Sequence, residues 1–315
     1  MARPALLAPA GSLGAVSAAV DAGADAVYVG LAGWSRGGAR RELTSNELAV
    51  ALRRVASAGR ELHVALNTIP KAAERARLVG EIAALRDRGI GNVIVNDVGI
   101  LADLKRRFPD LALTASIGCG AQTVSDVAFF RDLGADAVVL PGTVSPEETR
   151  EIRAVRGIRV EIMIHMVEEF VLLGKCWMPS YVHLKPTAFG QAPELPGAGE
   201  APEGARSGLR LTGSMKRGGV GACFRICQQS WELYDSGRLR GSRFFPSRQI
   251  SRRADVAAYA EAGVDVLKLQ GRSLPEELLA PLVRSYREAI DGRADPGARQ
   301  AWSAPLPAAW AVVGR

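Results

Sequence analysis

Cysteine and histidine are scarce in this chain, with four of the first and three of the second in 315 residues. Four cysteines at this length are too few for a secreted disulfide scaffold, so they are either core thiols or metal ligands. No apolar run approaches the roughly 20 residues that a membrane span needs. Met1 to Ala10 is only a short apolar patch broken by Pro4 and Pro9, which points to a cytoplasmic protein without a targeting signal. A Walker-type phosphate loop and a His-Glu-x-x-His zinc motif are both absent, which argues against a P-loop nucleotidase and against a metallopeptidase. A serine-hydrolase mechanism is not expected either.

What is present is apolar material in quantity. With 48% apolar and 23% charged residues, the chain can bury one large core, and the expectation is a single domain over residues 1–315. One phrase recurs: Asp21-Ala-Gly-Ala-Asp-Ala-Val-Tyr-Val-Gly30, then Asp132-Leu-Gly-Ala-Asp-Ala-Val-Val-Leu-Pro141, then Glu261-Ala-Gly-Val-Asp-Val-Leu-Lys-Leu-Gln270, with a looser copy from Arg88 to Asn96. Each copy reads as a helix stopping at a glycine in the left-handed C′ position, followed by a β-branched apolar strand. The remaining apolar runs complete eight strands near 5–8, 26–29, 62–66, 92–95, 111–115, 137–140, 159–164 and 265–269. Helices such as 12–22 and 45–58 separate them. Strands this apolar fit a parallel sheet covered on its outer face, and eight of them close into a (β/α)8 TIM-like barrel. A doubly wound open sheet is the alternative.

The alternation breaks over residues 166–254, an insertion between the last two strands that is expected to cap the C-terminal mouth. Within it, residues 185–204 carry Pro186, Pro193, Pro196 and Pro202 and read as a flexible loop. From Arg206 to Arg253 eleven Lys or Arg face only Glu232 and Asp235, an excess larger than the +7 of the whole chain. Such a field suits an anionic ligand or RNA, and equally a solvated basic face.

Barrel chemistry sits where strands end. Polar groups gather there: Asn67, Asn96 and Asp97, Ser116 to Cys119, His165, and Gln270 to Arg272. Cys223 and Cys227 are four apart, able to grip one metal from one face of a helical turn. Cys176 lies in the same insertion and Cys119 ends the fifth strand. Four soft ligands suit structural zinc or an iron-sulfur cube, and spacing does not choose between them.

Several segments resemble peptidase family U32: Leu6 to Leu13, Ala19 to Gly30, Glu161 to His165, Cys176, Arg217 to Cys227, Lys268 to Arg272 and Val283 to Ile290. The resemblance covers nearly all of the chain except residues 182–210. It implies a barrel with a 4Fe-4S cluster, in a group linked to oxygen-independent hydroxylation of ubiquinone precursors or of RNA bases, with prephenate as oxygen source. Cys176, Cys223 and Cys227 match family positions directly. Two family cysteines are missing, where this chain has Glu169 and Ser251, and Cys119 is the candidate fourth ligand.

His165 matches a family histidine and is the candidate for proton transfer at the rim. Asn67 and Asp97 would orient substrate or cap the next helices. His63 reads as an interior residue. Arg272, Lys268 and Arg36, with Arg40 beside it, are candidates for a dicarboxylate such as prephenate, because guanidinium matches carboxylate in a bidentate way.

The leading expectation is an oxygen-independent hydroxylase of a small aromatic or isoprenoid-type metabolite. It is favoured over RNA modification because the chain ends soon after the last expected barrel helix. The alternatives are a tRNA or rRNA base hydroxylation factor and a noncatalytic partner that holds a cluster for a paralogous subunit.

Overall fold

The structure, a computed structural model, describes residues 3–35, 42–168, 230–235, 238–244 and 248–293. Seven strands come first: β1 (Ala5–Pro9), β2 (Ala26–Gly30), β3 (Glu61–Leu66), β4 (Asn92–Val95), β5 (Ala112–Ala115), β6 (Ala137–Pro141) and β7 (Arg159–Glu168). A two-stranded antiparallel ribbon, β8 (Ser230–Asp235) and β9 (Arg238–Phe244), follows. Then come β10 (Arg248–Ser251) and β11 (Val266–Leu269). Strands β1 to β7 and β11 are mutually parallel, and β7 pairs with both β6 and β11 while β1 pairs with β11 and β2. The sheet therefore closes on itself with eight strands, and the open doubly wound alternative is ruled out. β7 runs past its expected end at 164, and its extra residues pair antiparallel with β10.

Around the barrel lie α1 (Leu13–Asp21), α2 (Ser45–Ser57), α3 (Arg75–Asp87), α4 (Val98–Arg107), α5 (Val124–Asp132), α6 (Pro146–Ile152), α7 (Val256–Glu261) and α8 (Glu276–Ile290). Their starts follow from local chemistry. Thr44 with Glu47, Thr123 with Asp126, and Ser145 with Glu148 form reciprocal capping boxes, each satisfying backbone N–H groups that a helix start leaves orphaned. No helix among the described residues is long and apolar enough to cross a membrane.

The recurring phrase has a structural job at the entrance of the strands. Gly23, Gly134 and Gly263 have φ of 98°, 95° and 85°, which glycine adopts without a Cβ penalty. Two residues later an aspartate reaches sideways to the neighbouring strand. Asp25 accepts the Leu6 N–H at 2.9 Å, Asp136 that of Leu113 at 2.8 Å, and Asp265 that of Val160 at 2.8 Å. Each carboxylate is also paired with a cation: Arg60 at 3.0 Å, Lys105 at 2.9 Å and Arg153 at 3.0 Å respectively.

Alternate strand residues divide into two cores. Leu6, Val27, Val29, Val64, Leu66, Val93, Val95, Leu113 and Leu140 point outward into the large cluster beneath the helices. Leu7, Tyr28, Ala65 and Ile94 fill the smaller cluster inside the barrel. This parity fixes which residues at the strand ends face the mouth.

Candidate functional site at the barrel mouth

The floor of the mouth is a buried ion pair. Lys268 on β11 and Glu161 on β7 are 3% and 1% exposed, and Nζ of the lysine donates to the carboxylate at 3.1 Å. The same ammonium lies 5.0 Å from the centre of the Tyr28 ring, whose hydroxyl donates to the Leu269 carbonyl at 3.0 Å. Burial pulls the Lys268 pKa down and Glu161 holds it up, as opposing desolvation and Coulomb effects require. Lys268, expected to meet a substrate carboxylate, is thus already partnered inside the barrel.

Arg272, just past β11, supplies the mouth's cation. Its guanidinium donates to Ser35 Oγ and lies over the end of β2, where a Cβ on Gly30 would come within 2.1 Å of Nη1. Only glycine leaves that space. Burial opposes the Arg272 charge, and Tyr28 and Glu42 nearby support it. Glu42 is itself 7% exposed and accepts the Gly33 N–H at 3.0 Å. The order Gly33-Trp34-Ser35-Arg36-Gly37 has the letters of a nucleophile elbow, a match that the expectation against a serine hydrolase overlooked. Ser35 is fully buried under Arg272, in a bend five residues past the end of β2, whereas an elbow presents its serine exposed directly at a strand end.

The opposite wall carries amides. In the closed strand order β4 stands four strands from β11. β3 pairs with β4 through Leu66↔Val95, so one step further Asn67 and Asn96 stand side by side. The Asn96 N–H donating to the Leu66 carbonyl at 3.1 Å continues that register. Leu66 and Val95 point outward, which turns Asn67 and Asn96 inward. Asn96 is 1% exposed, and both its Nδ2 and its Oδ1 lack a hydrogen-bond partner, as does Asn67 Oδ1. Asp97, expected either to orient substrate or to cap the next helix, is the N-cap of α4, accepting the Ile100 N–H at 2.8 Å. Its neighbour Asn96, noted only as a rim residue, is the group aimed into the mouth. Strand parity was the signal that could have separated the two.

Cys119 ends a single 3-10 turn after β5 and is partly buried, its thiol donating to the Val95 carbonyl at 3.4 Å. Cys176, Cys223 and Cys227, together with Arg36, Arg40, Glu169 and the loop at 185–204, lie outside the described residues. Among the described residues no group of three or more His, Cys, Asp or Glu is placed to hold a metal.

His165 follows a different course from the rim role expected of it. The register between β11 and β7 shifts after Lys268↔Met163, so that Leu269 pairs with His165. Such a bulge turns the extra side chain to the other face. His165 is 3% exposed, with Nδ1 3.3 Å from the Tyr286 hydroxyl of α8, which is 2.9 Å from Ser251 Oγ. Burial pulls its pKa down to about 4, leaving it neutral near pH 7 and docked against a helix. His63 is interior, as expected, with Nε2 3.2 Å from Glu61.

An eight-stranded (β/α) barrel with a polar, partly cationic mouth defines the class. The profile of peptidase family U32 matches residues 11–308, and the chain belongs to that family. It is 25% identical to tRNA hydroxylation protein P1 of Bacillus subtilis (strain 168) over 304 residues, which is 93% of this chain and 65% of that protein. It is 27% identical to the 23S rRNA 5-hydroxycytidine C2501 synthase of Escherichia coli (strain K12) over 295 residues, 92% of this chain and 39% of the synthase. The chain thus spans less than two thirds of the length of either relative. Among solved structures, the U32 peptidase Mk0906 superposes with a TM-score of 0.46 at 16% identity, covering 52% of this chain and 70% of that one.

Proposed function

We propose that this chain takes part in the hydroxylation of an RNA base, in the cytoplasm, with the reaction centred on the barrel mouth. The observation that carries the reading is the opposition, across one closed mouth, of a guanidinium at Arg272 and unpartnered hydrogen-bonding groups at Asn67 and Asn96. A mouth of this kind suits a ligand that is anionic on one side and has a hydrogen-bonding edge on the other. The two relatives named for tRNA and rRNA hydroxylation, aligned over 93% and 92% of the chain, support RNA as that ligand. They favour this alternative over the small aromatic or isoprenoid metabolite expected first.

The proposal includes a 4Fe-4S cluster held by Cys119, Cys176, Cys223 and Cys227. Cys119 fits a ligand's position, a soft donor at the end of a barrel strand on the mouth side. A bound cluster would supply redox or Lewis-acid chemistry without molecular oxygen. The oxygen would come from prephenate, as the family resemblance implies. Asn67 would orient the base, and neutral His165 would act only by fixing the end of β7.

The test is mass spectrometry of nucleosides from tRNA and rRNA of a strain lacking this chain. A hydroxylated nucleoside is expected to disappear, and to return with the wild-type chain but not with Arg272→Ala. An unchanged nucleoside profile overturns the reading. For the cluster, anaerobic purification with iron and sulfide analysis is expected to give less iron per chain in Cys119→Ala than in wild type. Equal iron removes Cys119 from the ligand set.

A further inference from the structure

Three arginines share one carboxylate on the outer wall of the barrel. The Asp103 side chain of α4 is only 4% exposed, and its Oδ1 lies 2.6 Å from Nη2 of Arg75 on α3 and 3.1 Å from Nε of Arg107, with Nη2 of Arg106 also donating to it. Its Oδ2 is buried without a hydrogen-bond partner among the described residues, so all three guanidiniums crowd a single oxygen. One cation neutralises that carboxylate, and the other two are surplus. Elsewhere on this wall the pairing is closer to even, with Arg77 beside Glu81 at 3.8 Å and Arg86 beside both Asp87 and Asp110.

Like charges gathered this closely repel one another, and an outside anion that shares them relieves the repulsion. Arg75, Arg106 and Arg107 are 46%, 69% and 46% exposed, so N–H groups that Asp103 does not use remain open to solvent. Planar forks with spare donors match the oxygens of a phosphate. Position narrows the anion further. α3 and α4 follow β3 and β4, the two strands whose ends carry Asn67 and Asn96. Helices of the barrel run back from the mouth, so Arg75, the first residue of α3, lies at the mouth end, and Lys71 is exposed in the turn that leads to it from Asn67.

We propose that the cluster of Arg75, Arg106 and Arg107 is a docking site for the phosphodiester backbone of RNA, holding the strand against the flank of the barrel while one of its nucleotides is at the mouth. The proposal rests on the RNA reading above and adds a contact outside the mouth. Two surplus charges suit two phosphates of one strand. Number alone does not make such a site: Arg3, Arg287 and Arg293 also meet at Asp291. That second group lies at the strand entrances, at the far end of the barrel from the mouth, and its Arg287 also serves Asp25.

The test measures binding of a short single-stranded RNA of mixed sequence to the full chain over a series of salt concentrations. Arg106→Gln/Arg107→Gln leaves Arg75 to balance Asp103 and is expected to melt at the wild-type temperature. Its affinity should fall about tenfold, and the slope of log affinity against log salt should become shallower by about 1.4, the counterions released by about two phosphates of a single strand. Arg3→Gln/Arg293→Gln, which thins the other cluster equally, should keep the wild-type slope. An unchanged slope in Arg106→Gln/Arg107→Gln, or an equal change in both double variants, overturns the inference. A lower melting temperature with an unchanged slope also overturns it, and makes the cluster a brace between α3 and α4. If that slope is unchanged while deletion of the chain still removes a hydroxylated nucleoside, the RNA reading stands and this docking site alone falls.

Discussion

Gly30 has no side chain, yet it has a large influence at the mouth. An added Cβ would lie 2.1 Å from Arg272 Nη1 and 2.3 Å from Ser35 Oγ, closer than real atoms approach, so the guanidinium must leave or the strand end must shift. Gly30→Ala is expected to cost about 1–3 kcal/mol in chemical denaturation, the usual scale of overpacking. Gly30→Ala/Arg272→Ala should lose clearly less than the sum of the single losses, because residues in contact are coupled. Additive losses would mean that the two residues do not share the space. The sequence carried Gly30 as the end of the recurring phrase and Arg272 as a rim residue, with nothing to link them. Their contact spans 242 positions, and periodicity contains nothing about such a distance. Asp97 and Asn96 are adjacent in the chain and were told apart only by the structure. Of the two roles expected of the aspartate, the cap is the one it fills, and the uncharged neighbour faces inward.

At the scale of the element, the strand positions were legible because each strand is a short, almost wholly apolar run closed by polar residues. The joints were legible because the phrase repeats. What the phrase does was not: its glycine was read as a helix stop, while its aspartate turned out to hold the N–H of the second residue of the adjacent strand. Asp136→Ala should strip Leu113 of that acceptor and Lys105 of its partner. The expected loss is about 1–3 kcal/mol in thermal or denaturant unfolding, with Asp136→Asn recovering part of it through its remaining carbonyl. A loss within a few tenths of a kcal/mol would assign the joint's stability to packing alone. The bulge in β7 was illegible for a different reason: Glu161 to His165 alternates evenly on paper, and only pairing with β11 shows where one residue is extra.

For the whole molecule, His165 links stability to acidity. Burial holds its folded pKa at about 4, below the ordinary 6.5 of a histidine, so between those values the unfolded chain binds a proton that the folded chain refuses. Stability is therefore full above about pH 7 and falls as the pH drops toward 4. From about pH 7.5 to about pH 5 this one group should remove about 2 kcal/mol. His165→Phe, which can keep the edge-on ring contact with Tyr286, should flatten that part of the pH profile of the melting temperature. An unchanged slope would place the acid sensitivity in the carboxylates instead. Closure of the eight strands followed from counting apolar runs, whereas the relatives support the alternative function, on RNA, better than the one expected first. Charge and cysteine spacing describe a kind of chemistry, and the identity of the molecule acted on depends on mouth contacts between residues far apart in the chain.

The aspartate joints make the two ends of the barrel unlike in what they tolerate. Three strand entrances solve one mechanical problem with the same few letters, so a joint copied from one position into another should still fold. The exits follow no common phrase, and exchanging them would scramble whatever the mouth recognises. A designer wishing to change the ligand could keep the entrances as a standard part and redraw only the exits.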